Sequence, residues 1–193
     1  ILLDVKTGSG AFMKSVEESV ALAQEMVSIG EHAGRKTVAL ITDMDVPLGY
    51  AVGNSLEVIE AVDTLRGQGP EDLTEVCKKL AANMVCLAGR GTLKECGRMV
   101  DEAIESGRAL ERLTAMVEAQ GGDSSVIKDT DLFLKAPYTH EVKAKESGYM
   151  VSMDTESCGI ASSMLGAGRE TKDSTIDFSA GIVSVSYTHL RAH

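Results

Sequence analysis

The chain has 193 residues, 44% apolar and 25% charged, with a formal net charge of -10 at pH 7. That length supplies a core for one or two domains, and the acidic balance argues against nucleic acid, whose phosphates need clustered Lys and Arg. No run approaches the ~18 uninterrupted apolar residues of a membrane span, and Cys77, Cys86, Cys96 and Cys158 form no CxxC pair; three sit on apolar helix positions, which predicts buried, reduced thiols in a cytoplasmic protein.

The chain opens with ILLDV, a continuous apolar run bounded by glycine that predicts a strand buried on both faces. Its first residue is Ile, already inside that run, so the chain reads as a fragment. Ser15 with Glu18 makes a capping-box pattern, and Val16, Val20, Ala23 and Val27 recur at helical spacing up to Gly30 and Gly34. A second apolar run, Thr37 to Met44, follows at once. Strand, helix and strand joined by short Gly-containing links predict a βαβ unit and a parallel sheet.

Asn54 with Glu57 reads as another cap, opening a helix to about Leu65. Pro70 sits where a first helical turn tolerates it, and Leu73, Val76, Leu80, Met84 and Leu87 mark one face of the next helix. Thr92 with Glu95 starts a further helix with Cys96, Met99 and Ala103, whose pattern continues through Leu110, Leu113 and Val117 to Gly121 and Gly122. Beyond Pro137 the character changes: YTHEVKAKESGYMVSMD is alternating and punctuated by Gly, which predicts β structure. A small apolar helix at Ile160 to Leu165 ends at Gly166 to Arg169, and DFSAGIV reads as a strand entering a hairpin. The expected fold is therefore α/β, a partly parallel sheet with flanking helices over residues 1–137. The start of a smaller β-rich, α+β C-terminal domain follows over residues 138–183. Residues 184–193, without periodicity, read as a tail foreign to the natural fold. Its His189 and His193 have metal-pair spacing but no third ligand nearby.

Two stretches are candidates for chemistry. Gly8-Ser9-Gly10 lies between a strand and a helix, where free backbone N–H groups and the helix dipole bind anions. It matches neither GxxxxGK[ST] nor GxGxxG, and Lys6 precedes the glycines, so spacing favours a structural turn that brings Phe12 close to something. Leu48 to Glu60 follows the second strand, at the end where ligands collect in open α/β sheets. By composition alone Asn54 is a helix cap and Glu60 a solvated face; His32 and His140 are isolated and read as exposed or capped.

DVKTGSGAFM, GRKTVALITDMDVPLGYAVGNSLEVIEAVDTLRG with GPEDLTE, ESGYM, and LGAGRETKDSTIDFSAGI together closely resemble the pyrimidine-nucleoside phosphorylases and their thymidine phosphorylase relatives, in order from Ile1 to about Val183. The resemblance implies a pentosyltransferase in which phosphate, the co-substrate, attacks the anomeric carbon of a pyrimidine nucleoside. In that family the phosphate-binding Lys-His-Ser segment, a Gly-rich loop, and the Arg, Ser and Lys that hold the base lie upstream of the part resembling Ile1. It follows that this chain carries no catalytic residue and is inactive alone. The resemblance further implies a potassium ion held by the Leu48 and Ala51 carbonyls and the Glu60 carboxylate, a homodimer, and Phe12 lining the pyrimidine pocket, with ordinary core packing the alternative for Phe12. Two other readings stay open: an anthranilate phosphoribosyltransferase-like enzyme, against which LGAGR and ESGY stand, and a noncatalytic binding or scaffold module.

Overall fold

The computed structural model describes residues 1–169, 171–184 and 189–190; of His189 and Leu190 it describes the backbone. The tail reading therefore falls mostly outside the described residues, as does His193. The predicted βαβ unit is present: β1 (Leu2–Thr7), α1 (Val16–His32) and β2 (Val38–Asp43), with β1 and β2 parallel in register from Leu2↔Val38 to Thr7↔Asp43. Ser15 caps α1 by accepting the Glu18 N–H, while the Glu18 carboxylate reaches back to the Lys14 N–H. Burial departs from expectation in both elements. In β1 only Val5 is buried, because two strands leave most side chains of the pair partly open. In α1 the buried stripe is Ser19, Ala23 and Gly30, and Val16 is exposed. Small residues let the helix axis approach the sheet, and a Cβ at Gly30 would overlap the Thr37 hydroxyl; a count of hydrophobic positions does not register that requirement.

The chain then makes a short β3 (Ala51–Gly53) and α2 (Ser55–Leu65), followed by α3 (Glu71–Leu87), α4 (Leu93–Glu105) and α5 (Arg108–Ala119). Thr92 and Glu95 complete a reciprocal capping box at the start of α4. The helical pattern predicted to run on to Gly121 is broken at Gly107, whose left-handed φ of 77° separates α4 from α5. A single turn α6 (Ser125–Lys128) and a 3-10 turn (Thr130–Leu132) close this layer. Val62, Cys96, Val100 and Ile127 form its buried centre, and Arg66 ties it together by donating to the Ile127 and Lys128 carbonyls at 3.1 and 2.8 Å. The expectation of three buried thiols is corrected: Cys96 is fully buried, Cys77 is exposed, and Cys86 and Cys158 lie between, all four free. Burial pushes the Cys96 thiol above its ordinary range, which keeps it protonated and inert.

The alternating stretch after Pro137 is far less β than predicted. It contributes only β4 (Gly148–Tyr149), paired antiparallel with β6 (His189–Leu190), while Val142 and Val151 are 91% and 95% exposed. Alternation specifies a strand only where a sheet edge receives it. Then α7 (Thr155–Ser162) runs into a π-turn (Ser163–Ala167) whose helical backbone is interrupted at Gly166, φ 111°. Ile160, Met164 and Leu165, read as an apolar helix, are exposed. DFSAGIV makes β5 (Gly181–Val183), which pairs antiparallel with the distant β3 instead of entering a hairpin. The C-terminal segment is docked on β3 and α2 by Ser162 Oγ donating to the Val52 carbonyl at 2.7 Å and by Ser55 N–H donating to the Phe178 carbonyl.

Candidate functional site

Because β1 and β2 are parallel, the loops that leave them emerge side by side. The loop after β1 is Gly8-Ser9-Gly10, and its backbone donors answer whether it is a phosphate cradle. Gly8 N–H donates to the Met13 carbonyl, Gly10 N–H to the Met44 carbonyl and Ala11 N–H to the Gly8 carbonyl. Ser9 N–H donates to Asp45 Oδ1 at 2.7 Å. All four amides are engaged, and the anion that they meet is the protein's own carboxylate. The glycines serve close approach. Gly8 adopts φ 116°, and a Cβ there would stand 2.7 Å from Asp45 Oδ1; one at Gly10 would stand 2.6 Å from Thr155 Cγ2. Phe12 is 98% exposed and takes no part in the core that the described residues form. Lys6 is not turned to the loop; it pairs with Asp4 at 2.8 Å, whose other oxygen accepts from Thr42 Oγ1. His32 Nδ1 lies 2.7 Å from the Ser28 carbonyl and His140 is exposed, as their isolation predicts.

The second candidate stretch brings Ala51 and Glu60 together. Glu60 Oε1 accepts from the Tyr50 N–H at 2.8 Å and Oε2 from the Ala51 N–H at 3.4 Å. Gly49, at φ 73°, makes this fit, since a Cβ there would overlap Glu60 Oε2. Its N–H donates to Asp72 Oδ2 at 3.1 Å. The Tyr50 carbonyl accepts from Ser184 N–H across the β3–β5 ladder, and Ala51 faces Val183. Adjacent residues in a ladder alternate in direction, so Ala51 turns its peptide groups away from β5, and its N–H reaches Glu60. Ala51 and Glu60 line an open cavity of about 650 Å³ with Asp63, Gln68 and Pro70; half-buried Leu48 is not in that lining. Each Glu60 oxygen receives one N–H and keeps a lone pair. Among the described residues, no group of three or more His, Cys, Asp or Glu could hold a metal ion. The oxygens shown here belong to the Glu60 carboxylate, which accepts two amide N–H groups; joined by peptide carbonyl oxygens, a single carboxylate would suit a large, weakly hydrated cation.

Asn54 is not the cap that its position suggests. Its side chain makes no capping bond; Nδ2 donates instead to the Ala167 carbonyl at 2.7 Å, and Glu57 accepts from the Gly53 N–H. The amide is more useful holding the distant π-turn than a helix end already served by Glu57.

Sequence reasoning missed the contacts between the loop after β1 and α7. Lys14 Nζ donates to the Ser9 carbonyl at 2.8 Å and pairs with Glu156 at 3.1 Å, and the Thr155 N–H donates to Ser9 Oγ at 3.4 Å. No periodicity signals residues 142 and 146 positions apart. Two carboxylates support this docked segment: Asp154 caps α7, accepting from the Ser157 hydroxyl and N–H, and Asp177 holds the turn before β5, accepting from the Ser179 hydroxyl and N–H. Those hydrogen bonds hold both carboxyls below the usual range. A depressed folded value contributes stability that is present above the unfolded value of roughly 3.9 and is lost as pH falls through the folded one. Amide exchange in residues 155–162 should therefore accelerate between about pH 4 and pH 2 more than exchange in α5 does, since α5 begins after Gly107 and has no side-chain cap. Equal acceleration in both helices would show that the Asp154 cap does not set local stability.

Residues 1–110 match the family model described as glycosyl transferase family, a/b domain. Residues 149–189 match that of the pyrimidine nucleoside phosphorylase C-terminal domain. Among curated proteins, the chain is similar to the pyrimidine-nucleoside phosphorylases of Staphylococcus haemolyticus (strain JCSC1435), at 53% identity, and of Staphylococcus aureus (strain bovine RF122 / ET3-1), at 52%. Each alignment covers 184 residues and 95% of this chain, which spans 42% of the length of either relative.

Proposed function

We propose, from the premise that this chain belongs to the glycosyl transferase family through its a/b domain, that the whole protein is a pyrimidine-nucleoside phosphorylase. As a pentosyltransferase it would use inorganic phosphate to cleave a pyrimidine nucleoside into free base and pentose 1-phosphate. The observation that carries this reading is 53% identity sustained over 95% of the chain. A separate match to the phosphorylase C-terminal domain supports it against an anthranilate phosphoribosyltransferase-like enzyme or a noncatalytic module.

In phosphorolysis the phosphate forms a bond to the anomeric carbon as the bond to the ring nitrogen breaks, and the pyrimidine leaves with the electron pair. Positive charge develops on the sugar and negative charge on the base, so the protein's work is positioning and electrostatic stabilisation. This chain supplies one wall of that site. Phe12 offers its exposed ring to the base, and the turn behind it has no free amide for the phosphate. We place the groups that hold phosphate and grip the base outside these 193 residues. The Ala51 carbonyl and Glu60 carboxylate, with the Leu48 carbonyl, would hold potassium, which supplies fixed positive charge at the strand ends. We also assign a homodimer in the cytoplasm; no helix among the described residues is long and apolar enough to cross a membrane.

The test is phosphate-dependent release of uracil or thymine from the nucleoside. It compares this chain alone with the Staphylococcus haemolyticus relative in which this chain replaces the matching 184 residues. Turnover is expected only from the hybrid. Release by the chain alone would refute the placement of the essential groups, and an inactive but folded hybrid would refute the assigned reaction.

A further inference from the structure

The loop that carries Phe12 is held from three directions. From the end of β2, Asp45 Oδ1 accepts the Ser9 N–H at 2.7 Å, and the Met44 carbonyl accepts the Gly10 N–H at 3.0 Å. From the start of α1, Lys14 Nζ donates to the Ser9 carbonyl. From α7, the Thr155 N–H donates to Ser9 Oγ, and Lys14 is itself tied to Glu156. Asp45 is in turn anchored, since its own N–H donates to Asp43 Oδ1 at 2.9 Å. An exposed aromatic ring has little of its own to orient it, whereas a base-stacking wall works only at a defined place and angle.

We propose that Asp45 is a positioning residue: by occupying the donor of the Gly8-Ser9-Gly10 turn, with Lys14 and Thr155 bracing the other sides, it fixes the Phe12 ring as the wall against which the pyrimidine rests. The role of Phe12 toward the base rests on the proposed phosphorylase reading; the clamp itself rests on the contacts above. Asp45 does not touch the reacting atoms, and it acts through the loop. Because Thr155 and Glu156 belong to the C-terminal segment, undocking that segment would loosen the same wall. The C-terminal region thereby gains a part in base binding without contacting the base.

The chain contains no Trp, so Phe12→Trp, at an exposed position, provides a single fluorescent reporter in the intact chain. In that background Asp45→Ala should lower the residual anisotropy of the indole by roughly half on the nanosecond scale, and Asp45→Asn, which keeps an acceptor oxygen, should restore most of it. Lys14→Met, a surface change, should act in the same direction and serves if Asp45→Ala fails to fold. Equal anisotropy in the parent, Asp45→Ala and Lys14→Met overturns the positioning role. In the hybrid enzyme, with Phe12 retained, Asp45→Ala should raise KM for the nucleoside about tenfold while kcat changes less, with Asn again rescuing. A responsive anisotropy with unchanged KM would instead overturn the pyrimidine reading of Phe12 and leave the clamp standing.

Discussion

Gly8→Ala is expected to destabilise the chain by about 3 kcal/mol, whereas Gly34→Ala should cost about 1 kcal/mol. Both glycines have positive φ, 116° and 70°, so both substitutions carry a backbone penalty. They differ in what surrounds them. Nothing lies within 4 Å of a Cβ at Gly34, but one at Gly8 would press on Asp45 Oδ1, N and Cγ at 2.7 to 2.9 Å. Asp45 cannot yield without releasing the Ser9 N–H, so the overlap is resolved by moving the loop away from the end of β2. Urea midpoints for the two variants decide the matter. Equal losses would mean that the loop does not approach Asp45 as closely as described.

Glu60→Ala should cost about 2 kcal/mol, because it removes the acceptor for two backbone donors, one of them on buried Ala51. Glu60→Gln keeps one acceptor oxygen, and its cost should stay below about 1 kcal/mol. The two variants separate structure from cation binding. If the carboxylate also ligates potassium, the glutamine variant of the hybrid enzyme should fold normally yet lose the rate difference between potassium and lithium buffers. Its turnover in potassium should fall roughly tenfold. Normal folding with an undiminished potassium response would remove Glu60 from the proposed cation site and leave it as the support of residues 49–51.

Much of the fold was legible in local pattern. The order β1, α1, β2 followed from two apolar runs bracketing a capped helix, and the Thr92 and Glu95 box appeared where its spacing predicted. Glu60 beside Ala51 came from family resemblance, since composition favoured a solvated face. What misled were features whose meaning depends on a distant partner. The alternation after Pro137 found a two-residue pairing, and DFSAGIV paired with Ala51–Gly53. Asn54, in a capping position, was recruited by Ala167, 113 residues away.

By itself, then, the sequence determined the order β1, α1, β2 and the capped starts of α1 and α4, because caps and apolar spacing act within a few residues, and it determined the family, because long ordered segments carry that signal. Only the tertiary structure decided that the Gly8-Ser9-Gly10 amides meet Asp45 instead of a phosphate, and that Phe12 stands in the open. A backbone N–H must find an acceptor somewhere; which acceptor it finds is settled by elements brought together from opposite ends of the chain, and no local pattern records that choice.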